Sequence, residues 1–457
     1  MTNHLDMNRL SVDVLILGSG MAGMTAAAQA AQDGLSVLVV ERAPTPGGSA
    51  GISHGYVWTT PTLEALQAED PAVDPVLVSI LADGFLPAVD WMRDLGVEVG
   101  ERIMGIYRFG HGFQIDIHDY LNRCRAAVEG AGGWLVTGVT TRRLVLDDAG
   151  RVVGAEMSDA DGDPIEVSAR ETILATGGFQ GASDLRAGRI SPAAEDILLR
   201  SNAYSAGDGL RLAEAAGAEF VDGGRGFYGH LVPSPLVSLD PPDFVTIAML
   251  HSGYCLLFNR AGERFTDESL GDHENNQAVL EQAGSRALLV ADDRVRRERI
   301  MTPYIPGMAG VDKFALAEER GARVHSAATL SDLVTAVGAW GFDPVSLGGS
   351  LNDYNRTARD APELLSPPST RHCRPLDVPP FFAMEVQPAI TFSYGGIRVD
   401  ESGRVVGREG PIEGLLAAGV DIGGVYTRAY AGGLARGLVF GRLAARTAAA
   451  RLTNKEA

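Results

Sequence analysis

Three glycines spaced Gly18-x-Gly20-x-x-Gly23 stand between a short apolar run and an alanine-rich stretch. In this pattern the first glycine permits a tight turn and the second lets backbone approach a pyrophosphate. The third lets a helix close on a strand. A helix starting at Met21-Ala22 would aim its unpaired N–H groups at the phosphates. Glu41, 23 residues beyond Gly18, can accept from a ribose hydroxyl. Arg42 beside it would suit a 2′-phosphate, but the acid is the simpler reading. Four further glycine-rich segments follow: Pro46-Gly47-Gly48-Ser49, Ala175-Thr176-Gly177-Gly178, Ala206-Gly207-Asp208-Gly209 and Ala417-Ala418-Gly419. Each alone reads as an ordinary turn. Together, spread over the whole chain, they suit a long dinucleotide such as FAD better than a compact one.

The elements that must position these turns are legible nearby. Residues 12–17 (VDVLIL) are β-branched and apolar, as in a buried parallel strand, and Ser36–Val40 reads as a second strand ending on Glu41. The alanine-rich segment between them, ending at Gly34, predicts a helix and completes a βαβ unit. Amphipathic patterns predict helices over 76–95 and 118–131, short strands of a meander run from Trp134 to Ser168, and Thr172–Thr176 reads as a buried strand. From 225 to 380 prolines cluster and the pattern changes, as in an inserted lobe. After Pro380 the strand-and-glycine style returns and ends in a helix over 433–451. The expected organisation is an α/β FAD-binding domain over 1–224 and 381–457, Rossmann-like with a parallel sheet and a β-meander. It is interrupted by an α+β capping domain over 225–380.

Composition bounds the partners. The 457 residues carry a formal net charge of −19, which disfavours nucleic acid and acidic membranes. Three cysteines, Cys124, Cys255 and Cys373, lack metal-ligand spacing, so zinc, iron–sulfur and covalent haem sites have no ligands and no metal is expected. The N-terminus lacks the apolar region of a signal peptide, and no stretch approaches ~18 uninterrupted apolar residues. A cytoplasmic protein without a membrane span is expected.

The motifs GSGMAGMTAA (18–27), ERAPTPGGSAG (41–51), ILATGGF (173–179), SAGDGLRLA (205–213), FNRAGERFTDES (258–269) and FSYGGIRVD (392–400) occur in one order. With GLLAAGVDIGG and AYAGG at 414–433, they resemble the fumarate reductase/succinate dehydrogenase-type flavoproteins, which include the 3-ketosteroid dehydrogenases. The resemblance covers nearly the whole chain. It implies non-covalent FAD, hydride exchange between the flavin and a substrate carbon, and a protein group that moves the proton on the neighbouring carbon. The implied cofactor contacts are Gly18, Gly20, Met21, Ala22, Gly23, Glu41, Arg42, Gly47, Gly48, Ser49, Ser53, Ala175, Thr176, Gly177, Asn202, Gly207, Asp208, Gly419, Asp421, Gly433 and Leu434. Relatives carry an acid directly after AAG for the ribityl chain. Here Val420 stands there and Asp421 follows, so either Asp421 substitutes or the contact is lost.

The fumarate-reducing branch clamps a dicarboxylate with Arg and His and uses an Arg as proton donor. At the matching positions this chain has Asp272, Thr391-Phe392 and Tyr430, which argues against a dicarboxylate. The ketosteroid dehydrogenases carry a Tyr in that C-terminal loop, and Ala429-Tyr430-Ala431-Gly432-Gly433 matches in kind. Tyr430 reads either as a packing aromatic or as the group that shuttles a proton, with glycine N–H groups holding an enolate oxygen. Tyr394 and Tyr107 are further aromatic candidates. Arg428 could lower the Tyr430 pKa, bind an acidic tail or sit solvated. His230 lies about where relatives place a substrate-binding His, although a lone His is usually structural.

The leading expectation is an FAD-dependent dehydrogenase or reductase of CH–CH groups. It would make or reduce a C=C bond beside a carbonyl in a cyclic ketone or enone, a 3-ketosteroid or a smaller ring, with an external electron donor or acceptor. One alternative is a carboxylate reductase with a clamp of Arg264, Arg428 and His230. Another is an FAD-fold binding protein without turnover.

Overall fold

The computed structural model describes residues 10–304 and 309–453. The chain divides into two compact units. One takes the chain up to Ile190, then Ser201–Phe227 and everything from Phe392 onward; the other is Ser191–Arg200 with Tyr228–Thr391.

The first unit is built on an eight-stranded sheet. Strand Ser11–Leu17 lies at its centre, parallel to Val37–Glu41 on one side and to the second half of Pro164–Leu174 on the other. Trp134–Thr137 extends the parallel set beyond Val37–Glu41, and Gly410–Ala417 extends it beyond Pro164–Leu174. The sequence reading differs here in two ways. Trp134 opens the last parallel strand rather than the meander, and Thr172 lies inside one strand of 11 residues whose first half pairs antiparallel with Val152–Ser158. The apolar run near 172 is only the half of that strand covered on both faces.

Helix Met21–Gln32 follows the first strand, and the chain's last helix, Gly433–Thr453, packs against it. Small residues permit the close approach. A Cβ on Gly437 would sit 2.9 Å from Met21 Cβ, and one on Gly441 would sit 2.5 Å from the Ala22 carbonyl oxygen. Helix Pro75–Asp94, capped by the Asp74 carboxylate, also packs on the last helix. Among the described residues it alone is long and apolar enough to cross a membrane, and 44% of its apolar window is buried inside the protein. Long core helices of globular proteins have the same composition.

The second unit is built around Phe381–Thr391, the greater part of the long strand Phe381–Ser393. Ala287–Asp292 and Val324–Ala327 pair with it antiparallel, and Leu198–Leu199 pairs parallel. Successive residues go to opposite faces. Leu288, Val290, Phe381 and Ala383 join one core, and Leu289, Ala291, Phe382 and Met384 join another. With both faces covered, the strands are apolar throughout and do not alternate. The expected lobe of 225–380 therefore ends too early: Phe381–Thr391 is this sheet's spine, and Ser191–Arg200 joins it from far upstream.

Candidate active site

The glycine turn in the first unit separates packing from ligand space. A Cβ on Gly18 would lie 2.2 Å from the Ala175 carbonyl oxygen, and one on Gly23 would lie 1.9 Å from that of Gly18. Both are overlaps with backbone that cannot give way. Around Gly20, by contrast, the nearest atom to such a Cβ is 3.9 Å away, and Gly20 caps the helix without a side-chain bond. An open position before unpaired helix N–H groups is what an FAD pyrophosphate needs, so these residues fit the group.

Glu41 is buried and its carboxylate holds this turn. It accepts from Ser19 N at 3.0 Å, Ser19 Oγ at 2.7 Å and Ala43 N at 2.7 Å. Ser19 Oγ also accepts from Gly47 N at 3.1 Å, joining the first glycine turn to the second. Gly47 and Gly48 both take positive φ, and a Cβ on Gly48 would come within 3.2 Å of Gly20 Cα. Ser19 escaped the sequence reading because it occupies a variable position of the motif.

Asp421 is buried and accepts from Thr176 N, from Thr176 Oγ1 at 3.0 Å and from Gly178 N at 2.9 Å. Burial raises its carboxyl above the usual range, while these donors pull it back. The carboxylate thus pins the 176–178 turn. Thr176 Oγ1 in turn accepts from Gly209 N at 3.0 Å. Arg42 does not stand free for a 2′-phosphate: its Nη1 donates to both oxygens of Asp208, at 2.8 and 2.7 Å. Ser49 Oγ meets Ser201 Oγ at 2.8 Å and accepts from Asn202 N at 3.3 Å. Ser53 Oγ accepts from Gly55 N at 3.4 Å. Gly177 and Gly207 take positive φ, Ala175 N–H donates to Leu17, and Met21 and Ala22 are buried beside the last helix. Gly419 lies against Ala22, and Gly433 and Leu434 open the last helix.

Tyr430 stands in an aromatic cluster of the first unit. Its ring is edge-on to Trp58 at 5.1 Å, Tyr107 at 5.9 Å, Phe392 at 5.8 Å and Tyr426 at 6.0 Å. Tyr107 stacks on Trp58 at 5.3 Å, and Tyr394 lies 5.7 Å from Tyr426. The three tyrosines singled out in the sequence therefore share one cluster, with Trp58, Phe392 and Tyr426 added. Tyr107 and Arg108 both have positive φ, 47° and 76°, strain that a hairpin tip without glycine sustains only under constraint. The Tyr430 hydroxyl accepts from Gly433 N at 3.0 Å. That glycine N–H, expected to serve an enolate oxygen, serves the tyrosine instead.

The loop carrying Tyr430 is held from two sides. Asp70, buried, accepts from Thr427 N at 2.8 Å, Arg428 N at 2.7 Å, Ala429 N at 3.1 Å and Thr427 Oγ1 at 2.5 Å. The Tyr426 hydroxyl donates to the Ala431 and Gly432 carbonyls, at 2.6 and 2.9 Å. Arg436 lies fully buried beneath Tyr426, donating to the Gly419 and Ile422 carbonyls, and desolvation lowers it to about 10. Arg428 is exposed and donates to the Glu69 carbonyl. Nothing in the sequence marks Asp70, whose partners lie more than 350 residues away.

The second unit places His230 in a buried chain of three groups. Its Nε2 meets the Tyr228 hydroxyl at 2.9 Å, and its Nδ1 meets Asp272. Desolvation, with the charges of Arg200, His273 and Lys313, drives His230 well below its ordinary value. Desolvation raises Asp272 to about 7, against the pull of the same cations. Burial thus disfavours charge on both members of the pair. Arg264 is spent on Glu268, at 3.1 and 2.6 Å, and on the Pro367 carbonyl. The expected alternative clamp thus loses Arg264 to a structural pair. No group of metal-binding side chains occurs among the described residues.

Comparison with known proteins bears on this geometry. The profile of a family described as FAD binding domain matches residues 13–99 and 107–434. The chain is 27% identical to a fumarate reductase (cytochrome) of Shewanella frigidimarina, over 96% of this chain and 77% of that one. It is 26% identical to a 4-oxocyclohex-2-ene-1-carboxylate 5-dehydrogenase of Sinomonas cyclohexanicum, over 98% of this chain and 95% of the other. A 3-ketosteroid-Δ4-(5α)-dehydrogenase structure from Rhodococcus jostii RHA1 has the same fold, with TM-score 0.74, 23% identity and coverage of 96% and 97%.

Proposed function

Since the chain belongs to the FAD binding domain family, as an FAD-dependent oxidoreductase acting on carbon–carbon double bonds, we propose that its substrate is a cyclic ketone or enone. The observation that carries this reading is Tyr430 in its cluster of Trp58, Tyr107, Phe392 and Tyr426. Such a surround suits an apolar ring better than a doubly charged diacid, whose carboxylates need cationic partners. The Sinomonas relative, similar over almost the full length of both chains, is named for a single-ring enone that carries one carboxylate.

When bound, FAD supplies the acceptor or donor of a hydride at one carbon of the substrate. Tyr430 then moves the proton at the carbon next to the carbonyl. The Gly433 N–H stabilises the phenolate left when the hydroxyl has given its proton. Asp70 and Tyr426 keep the loop at one geometry, so the hydroxyl does not pay reorganisation at each turnover. Trp58 and Tyr107, stacked on each other, form an apolar wall beside Tyr430 that keeps water from the proton path. The open space at Gly20, the carboxylate of Glu41 and the turns at Gly47-Gly48 and Thr176–Gly178 would hold the cofactor. Electrons pass to or from an external carrier.

The test is an anaerobic screen of flavin absorbance. Cyclohexanones should bleach the oxidised flavin, or cyclohexenones and steroid enones should reoxidise the reduced one, while succinate and fumarate do neither. Reaction with the dicarboxylates alone would reject the cyclic-ketone assignment.

A further inference from the structure

The second unit contains a cavity of about 230 Å³ that uses none of the candidate active-site residues. Its wall includes Tyr254, Arg294, Arg299, Arg371, His372 and Arg374, with Glu298 as the one carboxylate. Four arginines around one small space are unusual in a chain of net charge −19, where most arginines sit against carboxylates. Arg294 follows that rule, paired with Asp292 and Asp377. Neither Arg299 nor Arg374 has a carboxylate partner among the described residues, and both are exposed.

The local backbone explains how these groups come together. Residues Arg296–Ile300 form a turn of π-helix, a rare geometry concentrated at functional sites. It brings the Arg299 guanidinium over the Tyr254 ring at 4.6 Å. Tyr254 stacks with His372 at 4.3 Å between centroids, tying Arg299 to the loop that carries Arg371 and Arg374. Arg294 donates to the Pro375 carbonyl at 2.8 Å, yet its Nε is buried and donates to no described atom. A buried donor left unmet costs about 1–3 kcal/mol unless a ligand or water satisfies it.

We infer that this cavity is a binding site for a small multivalent oxyanion, recognised by the guanidinium groups of Arg299 and Arg374, with Arg294 and Arg371 in the same wall. Guanidinium groups match the planar, two-oxygen face of phosphate and carboxylate alike. Converging cations also focus field into a cavity even when the whole molecule is acidic. The volume is below the roughly 300–1,000 Å³ of drug-sized ligand sites, so the ligand is a compact anion and not a dinucleotide.

The experiment is calorimetric titration of the FAD-loaded full chain with pyrophosphate and, separately, with citrate, at low and at 0.5 M salt. Wild type should bind at least one of them saturably, with affinity falling at high salt. The two arms decide between phosphate and carboxylate. Arg299→Gln/Arg374→Gln should weaken binding by about tenfold or more while leaving the flavin spectrum and flavin content unchanged. Arg299→Lys/Arg374→Lys should lie between, since charge remains and the planar fork is lost. If the double glutamine variant loses flavin, the single Arg374→Gln variant, at an exposed position, takes its place. Absence of saturable binding to wild type, or equal binding by wild type and variant, overturns the site.

Discussion

The glycine turn at 18–23 and the loop at 426–433 both shape the candidate site of the first unit, but they are held by different means. The turn is set by backbone against backbone: Gly18 on Ala175, Gly23 on Gly18. The loop is set by side chains that reach it from far away: Asp70 on Thr427–Ala429, Trp58 on Tyr430. A turn of the first kind tolerates no added atom. A loop of the second kind tolerates changes of shape but depends on each polar partner, so substitutions should separate the two.

Gly23→Ala should have the largest effect. A Cβ 1.9 Å from a carbonyl oxygen forces the helix off the strand, costing about 3 kcal/mol or more, read as a drop in thermal midpoint even without FAD. An unchanged midpoint would show that the turn has slack. Tyr430→Phe should leave that midpoint and the flavin content near wild type but slow flavin reduction by about 10²–10⁴-fold. Reaction at the wild-type rate would make the loop a packing element only.

Asp70→Asn removes the charge that four donors share, and should cost about 2 kcal/mol in stability together with a fall in kcat larger than any change in KM. Loss of stability with full kcat would mean that the loop's geometry does not matter for turnover. Gly20→Ala sharpens the contrast within the turn itself. Its Cβ meets no protein atom within 3.9 Å, so the apoprotein midpoint should hold while FAD affinity falls by about tenfold. Tyr426→Phe should be mildest, about 1 kcal/mol, because the Ala431 and Gly432 carbonyls lose one shared donor. A loss as large as that for Tyr430→Phe in turnover would move the catalytic role toward Tyr426.

Legibility followed the same division. The first strand, the fingerprint helix and the second strand are short-range consequences of apolar runs, alanines and glycines. Their places in the sheet agree with the sequence to within a residue or two. The lobe boundary at 380 did not agree, because Phe381–Thr391 is buried on both faces like a strand of the parallel sheet, and nothing local says which sheet it joins. Tyr430, Tyr394 and Tyr107 could be named as aromatic residues beside glycines. Asp70, Ser19, Trp58 and Arg436 could not, because their types are ordinary and their partners distant.

By itself the sequence determined a dinucleotide site and its family, because a tight turn, a close approach and a helix start demand particular residues at fixed spacing. The resemblance further implies that Asp272, Thr391-Phe392 and Tyr430 stand where dicarboxylate reductases place cations. Only the tertiary structure decided which partners the candidate residues meet. It set Tyr430 among aromatic rings with the Gly433 N–H on its hydroxyl, committed Asp421 to the 176–178 turn, and paired Asp272 with His230. These are contacts between residues tens to hundreds of positions apart. Which of the many possible pairs forms is settled by the packing of whole sheets and helices, and no local pattern of residues carries that information.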